Sequence, residues 1–370
     1  MGILFRSIAS RVLLVFAAVT IFLQSVPAGA SSDKHFDQLR KRAEKGDPTQ
    51  QLELAEAYLT GAGVKQDMAQ AAHWYEQAAR RGNPQAENQI GFFYQAGIGV
   101  PVDPVRAFHW YQLASASGLV WGKVNLGVAY LNGIGTPRNA SAARHLFEEA
   151  LEKGNGLAAD YLGHIDYIGL DGPPDIGAAE KWFAQGAKLH DPIAAYDLGL
   201  LYSECDDHAR DLRKAAEWFR SSADKGYAPA QHALGRLLVN EPELSESPQE
   251  ARMLLEEASS VGIWKSSAVL GVLARGGGGF GEASDVARAY YWFTLSELQG
   301  GEIAKQTVDR DLRALRGMLS ESEQTRVAAE AQKWFAQHPK PIVFLSGADR
   351  ADHLRMTAVM GASARAGSGE

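Results

Sequence analysis

The chain repeats itself every 36 residues, and a period of that length constrains its fold more than any other feature. From Trp74-Tyr75, steps of 36 reach Trp110-Tyr111, Leu146-Phe147, Trp182-Phe183, Trp218-Phe219 and Leu254-Leu255, with Trp292-Phe293 two residues late. A second column runs Leu54-Ala55, Ile90-Gly91, Leu126-Gly127, Leu162-Gly163, Leu198-Gly199, Leu234-Gly235 and Leu270-Gly271. Such a period marks stacked supersecondary units, each burying its apolar face only against its neighbours. An architecture of this kind offers long surfaces rather than a deep catalytic cleft.

Residues 83–118 show one unit. Asn83-Pro84 opens a helix, with proline placed where its missing N–H costs nothing. Ala86, Ile90, Phe93 and Tyr94 recur at helical spacing until Gly97-Ile98-Gly99 breaks the run. Asp103 then stands where its side chain caps a second helix, whose inner stripe is Ala107, Trp110, Tyr111 and Ala114, and Gly118 ends it. The cap column reads Asp67, Asp103, Asn139, Asp175, Asp211, Ser247 and Asp285, with alanine four residues on in every unit. The closing glycine recurs from Gly46 to Gly300, with His190 the lone departure. The aromatic pairs are expected to be core.

The order Leu-Gly-x-x-Tyr, Gly-x-Gly, Asp, Ala, Trp-Tyr, Ala, Gly resembles the Sel-one-like repeat (SLR) family, a branch of the tetratricopeptide-like solenoids. The resemblance implies an all-α fold, a right-handed α/α solenoid of about seven 36-residue helix-turn-helix repeats with C-terminal capping helices. It departs from the pattern at Asp171 and Cys205, which replace turn glycines, and at Leu238 and Leu254-Leu255, which replace aromatics. The expected organisation is a signal peptide over 1–30, an N-terminal capping helix over 31–46 and the solenoid over 47–301. Capping helices follow over 302–338, and a disordered tail is expected over 339–370.

Arg6 and Arg11, the apolar run Val12 to Leu23 and the sequence Pro27-Ala28-Gly29-Ala30 read as an export signal cleaved after Ala30. That run is short of the roughly 20 residues a spanning helix needs. The expected location is the periplasm or the exterior with no integral span after cleavage; the alternative is an N-terminal anchor in the inner membrane. Cys205 is the only cysteine, so stability rests on packing rather than disulfides, and acidic neighbours argue against a nucleophilic thiol. With 37 basic and 44 acidic residues the net charge is -7, which argues against nucleic acid as partner.

No motif carries catalysis, and no cofactor or metal is expected. Gly276 to Gly281 satisfies G-x-G-x-x-G in letters, but the strand and βαβ context of a dinucleotide site are missing. His73, His109 and His145 share a column, but helices ~8–10 Å apart cannot bring three imidazoles onto one ion. They read as solvent-facing, with pH sensing the weaker alternative. Asn139-Ala140-Ser141 is a formal sequon already explained as a helix cap.

In tetratricopeptide-like repeats the outward face of each first helix lines a concave groove. Carried onto this chain by resemblance, that face holds Gln85, Asn88, Phe92 and Gln95, then Trp121 and Val128, then His164 and Tyr167, then Tyr196 and Leu200. The expectation is a monomeric, non-enzymatic scaffold binding a protein or peptide segment there. SLR relatives act as adaptors in signalling, envelope regulation and host interaction. Two alternatives stand beside it: a β-lactamase-like hydrolase, which the lone cysteine disfavours because such members use paired cysteines, and a glycan-binding solenoid using the same aromatics.

Overall fold

The computed structural model describes residues 30–204, 210–247, 249–276 and 284–338. Among them all regular structure is helical, in two compact units that divide between Leu189 and His190. The first unit holds α1 (Ala30–Glu44), α2 (Pro48–Thr60), α3 (Met68–Ala79), α4 (Pro84–Ala96), α5 (Pro104–Ala116), α6 (Val120–Asn132), α7 (Ala140–Glu152), α8 (Gly156–Ile168) and α9 (Ile176–Lys188). The second holds α10 (Pro192–Glu204), α11 (Leu212–Ala223), α12 (Ala228–Asn240), α13 (Glu250–Ser260), α14 (Trp264–Gly276), α15 (Val286–Arg316) and α16 (Glu321–Gln337). All but Ala30 of the expected export signal over 1–30, Cys205, the greater part of the Gly276–Gly281 run and the segment from 339 onward lie outside the described residues. No described helix is long and apolar enough to cross a membrane.

Each helix pair is set by local chemistry. Asp67, Asp103, Asn139, Asp175, Asp211 and Asp285 all accept from backbone N–H groups in the first turn of the helix they precede. Ser247 departs from the expected cap. Helix α13 starts late, Gln249 precedes it without a side-chain cap, and the Glu250 carboxylate instead accepts from Glu246 N–H and the Ser245 hydroxyl. The two glycines of Gly-x-Gly have different tasks. Gly97 ends α4 in a left-handed conformation (φ 72°), its N–H bonding Phe93 O at 2.8 Å. At Gly99 a Cβ would stand 2.0 Å from Met68 O at the start of α3, so this glycine lets the turn rest on the preceding pair. His190 adopts the left-handed conformation (φ 66°) that glycine supplies elsewhere in its column.

Within a pair, the glycine of the first helix lies under the second aromatic of the next. A Cβ on Gly91, Gly127, Gly163, Gly199 or Gly271 would come within 2.5–2.9 Å of Tyr111, Phe147, Phe183, Phe219 or Phe293 respectively. The column alanines Ala71, Ala107, Ala143, Ala179, Ala215, Ala251 and Ala289 are all fully buried. The aromatic pairs divide between these environments. Tyr75, Tyr111, Phe147, Phe183, Phe219, Leu255 and Phe293 are core, whereas Trp74, Trp182, Trp218 and Trp292 are half-exposed, and only Trp110 of the tryptophans is buried. The expectation that both members are core therefore holds for the second in every unit but for the first only at Trp110, because the first sits a residue away on the rim of the helix contact.

Both ends of the described chain are covered by helices. Phe36, Leu39 and Ala43 of α1 pack on Leu54 and Ala57 of α2. Helix α15 kinks at Gly301 (φ 60°, ψ -140°), and Val308, Leu312 and Leu315 beyond the kink join Val327 of α16 over Tyr290 and Phe293. A capping box between Ser320 and Glu323 opens α16.

Candidate functional site

The first helices of the N-terminal unit are α2, α4, α6 and α8, and their outward faces carry the first eight of the ten residues singled out from the sequence. On α4, Gln85 is exposed, and Asn88, Phe92 and Gln95 are half-buried at spacings that share one helix face. Gln95 is turned toward its own pair, accepting a hydrogen bond from Tyr111 OH at 2.8 Å. On α6, Trp121 is 37% exposed, whereas Val128 is buried. On α8, Tyr167 is half-buried and His164 is 1% exposed, its Nε2 3.4 Å from Asp160 and its ring 5.2 Å from Phe183. In the C-terminal unit, Tyr196 is buried among the rings of Phe219 and Tyr227, and Leu200 is buried as well. Val128, His164, Tyr196 and Leu200 are thus buried, and the accessible part of the face is Gln85, Asn88, Phe92 and Gln95 of α4 and Trp121 of α6, with Tyr167 of α8 half-buried beyond them.

One residue that the sequence reading passed over joins it. Asn125 of α6 donates from Nδ2 to Asn88 Oδ1 at 2.8 Å, tying the two outward faces together beside Phe92 and Trp121. Its signal was the period itself, since Asn125 lies 36 residues after Gln89 and 72 after Glu53. The charges on these helices are directed elsewhere. Glu87 is buried and accepts from the Ser117 hydroxyl at 3.3 Å, and burial pushes its carboxyl above the usual range. Lys123 pairs with Glu149 of α7. What remains outward on α4 and α6 is uncharged amide and aromatic surface, suited to hydrogen bonding and apolar contact and without a nucleophile or general base.

The column histidines lie on the second helices instead. His73, His109 and His145 are all exposed, the first two beside Trp74 and Trp110 and the third 3.1 Å from Glu149. His232 of α12 differs: its Nδ1 is 2.9 Å from Ser266 Oγ, and burial, with Arg236 and Lys265 nearby, pulls its pKa down to about 4.

Seven successive segments match the Sel1 repeat family model: residues 51–83, 84–119, 123–155, 156–191, 192–227, 228–262 and 269–301. The chain belongs to the Sel1 repeat family. Sel1 repeats mediate protein binding, generally as non-catalytic scaffolds. Among solved structures, a Sel1 repeat protein from Oxalobacter formigenes is 26% identical with a TM-score of 0.56, covering 66% of this chain and 98% of that one. A protective antigen of uropathogenic Escherichia coli with an SLR fold is 24% identical with a TM-score of 0.44, covering 87% of this chain and 75% of that one. No protein with a curated description matches the chain. Seven successive Sel1 repeats and regular structure that is wholly helical among the described residues make this an all-α solenoid protein.

Proposed function

We propose that this Sel1 repeat protein is an exported, non-catalytic adaptor that captures a protein segment on the outward faces of α4 and α6. The observation that carries the reading is the exposed Trp121 on α6 and the half-buried Phe92 on α4, two successive first helices joined by the Asn88–Asn125 hydrogen bond. Apolar side chains standing in series on a frame held by buried aromatics are what a docked segment needs, because the frame loses little entropy on binding. The basic, then apolar, then small-residue order of residues 1–30 supports export to the periplasm or beyond, and the protein acts as a monomer.

A photo-crosslinking amino acid at Gln85 tests this in an envelope fraction, with the same group at His109 as the control on the second-helix side. A protein adduct formed from position 85 and absent from position 109 is expected. Equal adducts from both positions, or none from position 85, would remove the assignment of the face.

A further inference from the structure

The face beside α4 and α6 changes character at α2, and the change specifies the chemistry of the segment that docks. The 36-residue period places Glu53 in the column of Gln89 and Asn125, and Glu56 in the column of Phe92 and Val128. Both glutamates are exposed on α2, and neither has an ion-pair partner among the described residues. Glu56 has its carboxyl raised by partial burial and by the like charge of Glu53, so the pair is held at a cost that a cation would relieve. Next along the stack, the single charge of α4 is buried against Ser117 and the single charge of α6 is paired with Glu149. The outward surface therefore runs from a two-carboxylate end to a neutral end of paired amides and aromatic rings.

Resting on the docking face proposed above, we infer that its occupant is an extended peptide segment with a Lys or Arg at Glu53 and Glu56 and uncharged, apolar-bearing residues across Asn88, Phe92, Trp121 and Asn125. The spacing follows from geometry. The Asn88–Asn125 hydrogen bond brings α4 and α6 within side-chain reach, on the order of 10 Å between axes, and an extended chain advances ~3.3 Å per residue, so these two units meet side chains about three residues apart. The bonded Asn88–Asn125 pair keeps donors on one amide and acceptor capacity on the other, the complement of a peptide group. A basic side chain supplies the charge match at α2, and an acidic one there would be repelled.

Fluorescence anisotropy on the full chain tests this with a labelled nonapeptide bearing Lys at its first position, Phe at its fourth and Leu at its seventh, with Ser and Gln elsewhere. The same peptide in reversed order covers the opposite direction of binding. Changing the peptide Lys to Glu is expected to weaken binding about 10-fold or more, which is about 1.4 kcal/mol. The Glu53→Gln/Glu56→Gln double variant, exposed and so expected to fold, should weaken the Lys peptide by a similar factor and remove most of its salt dependence. Equal binding of the Lys and Glu peptides, no binding of either orientation, or an unchanged affinity in the double variant would overturn the inference. So would a neutral oligosaccharide, maltoheptaose, that binds the protein, displaces the peptide and loses affinity in Trp121→Ala. A protein adduct at position 85 without any preference for the basic peptide would reject the charge rule and leave the docking face standing; the absence of both would reject the two together.

Discussion

A Cβ placed on Gly163 would stand 2.5 Å from the Phe183 ring, inside the distance that any real side chain tolerates. Gly163→Ala should therefore destabilise the protein by about 1–3 kcal/mol, measured by urea denaturation, with partial recovery when Phe183→Leu is added. The aromatic column was visible in the sequence, and so was the glycine column. That the two meet across a helix pair 20 residues apart was not, because a period aligns equivalent positions and does not say which columns touch. His232 gives a second test at this scale. Its ordinary pKa is about 6.5 and it stands near 4 in the fold, so the unfolded chain binds the proton first as pH falls. The stability it supports is full above pH 6.5 and declines toward pH 4. Thermal melts across that window should show a smaller acid loss in His232→Gln than in the parent, and identical profiles would count against the burial assigned to this ring.

Among the elements, the turn between α8 and α9 shows why one repeat departs from its pattern. Where Gly99 and Gly135 rest on the backbone of the preceding second helix, the equivalent residue is Asp171. Its side chain is only 13% exposed although the turn backbone lies open, and it accepts from Arg144 Nη2 of α7 at 2.9 Å. Arg144 also bonds Asp166, which in turn accepts from the Trp182 indole at 2.8 Å. An inter-pair contact made by close backbone approach in two units is thus made by a shared cation in the next. The sequence announced the missing glycine but not its replacement, since Arg144 and Asp171 are 27 residues apart. The Arg144 hydrogen bond holds the Asp171 carboxyl below its usual range, so the stability it contributes is present above the unfolded value near pH 3.9 and is lost as pH falls through the lower folded value. Arg144→Ala should cost about 1 kcal/mol at neutral pH and flatten the stability profile below about pH 4, as read from denaturant midpoints at stepped pH.

For the whole molecule, the sequence is an uneven guide. The period, every cap in the column but Ser247, and the helix-turn-helix units were legible because each depends on local chemistry repeated in phase. The face was only partly so. Columns carry the same backbone position into different surroundings: Phe92 stays accessible at the edge of its helix, while His164, two units on, is enclosed by Asp160 and the Phe183 ring. Charge placement was harder still, because Glu87 and Lys123 look solvent-facing until Ser117 and Glu149 are seen against them. The central claim is that the α4–α6 face captures a protein segment while the columns merely hold the frame. The most direct measurement is capture of crosslink-identified partner by the Phe92→Ala/Trp121→Ala double variant, alongside its melting temperature. Capture reduced about 10-fold or more, with the melting temperature changed by only a few degrees, is the predicted result. Full capture by a folded double variant would contradict it.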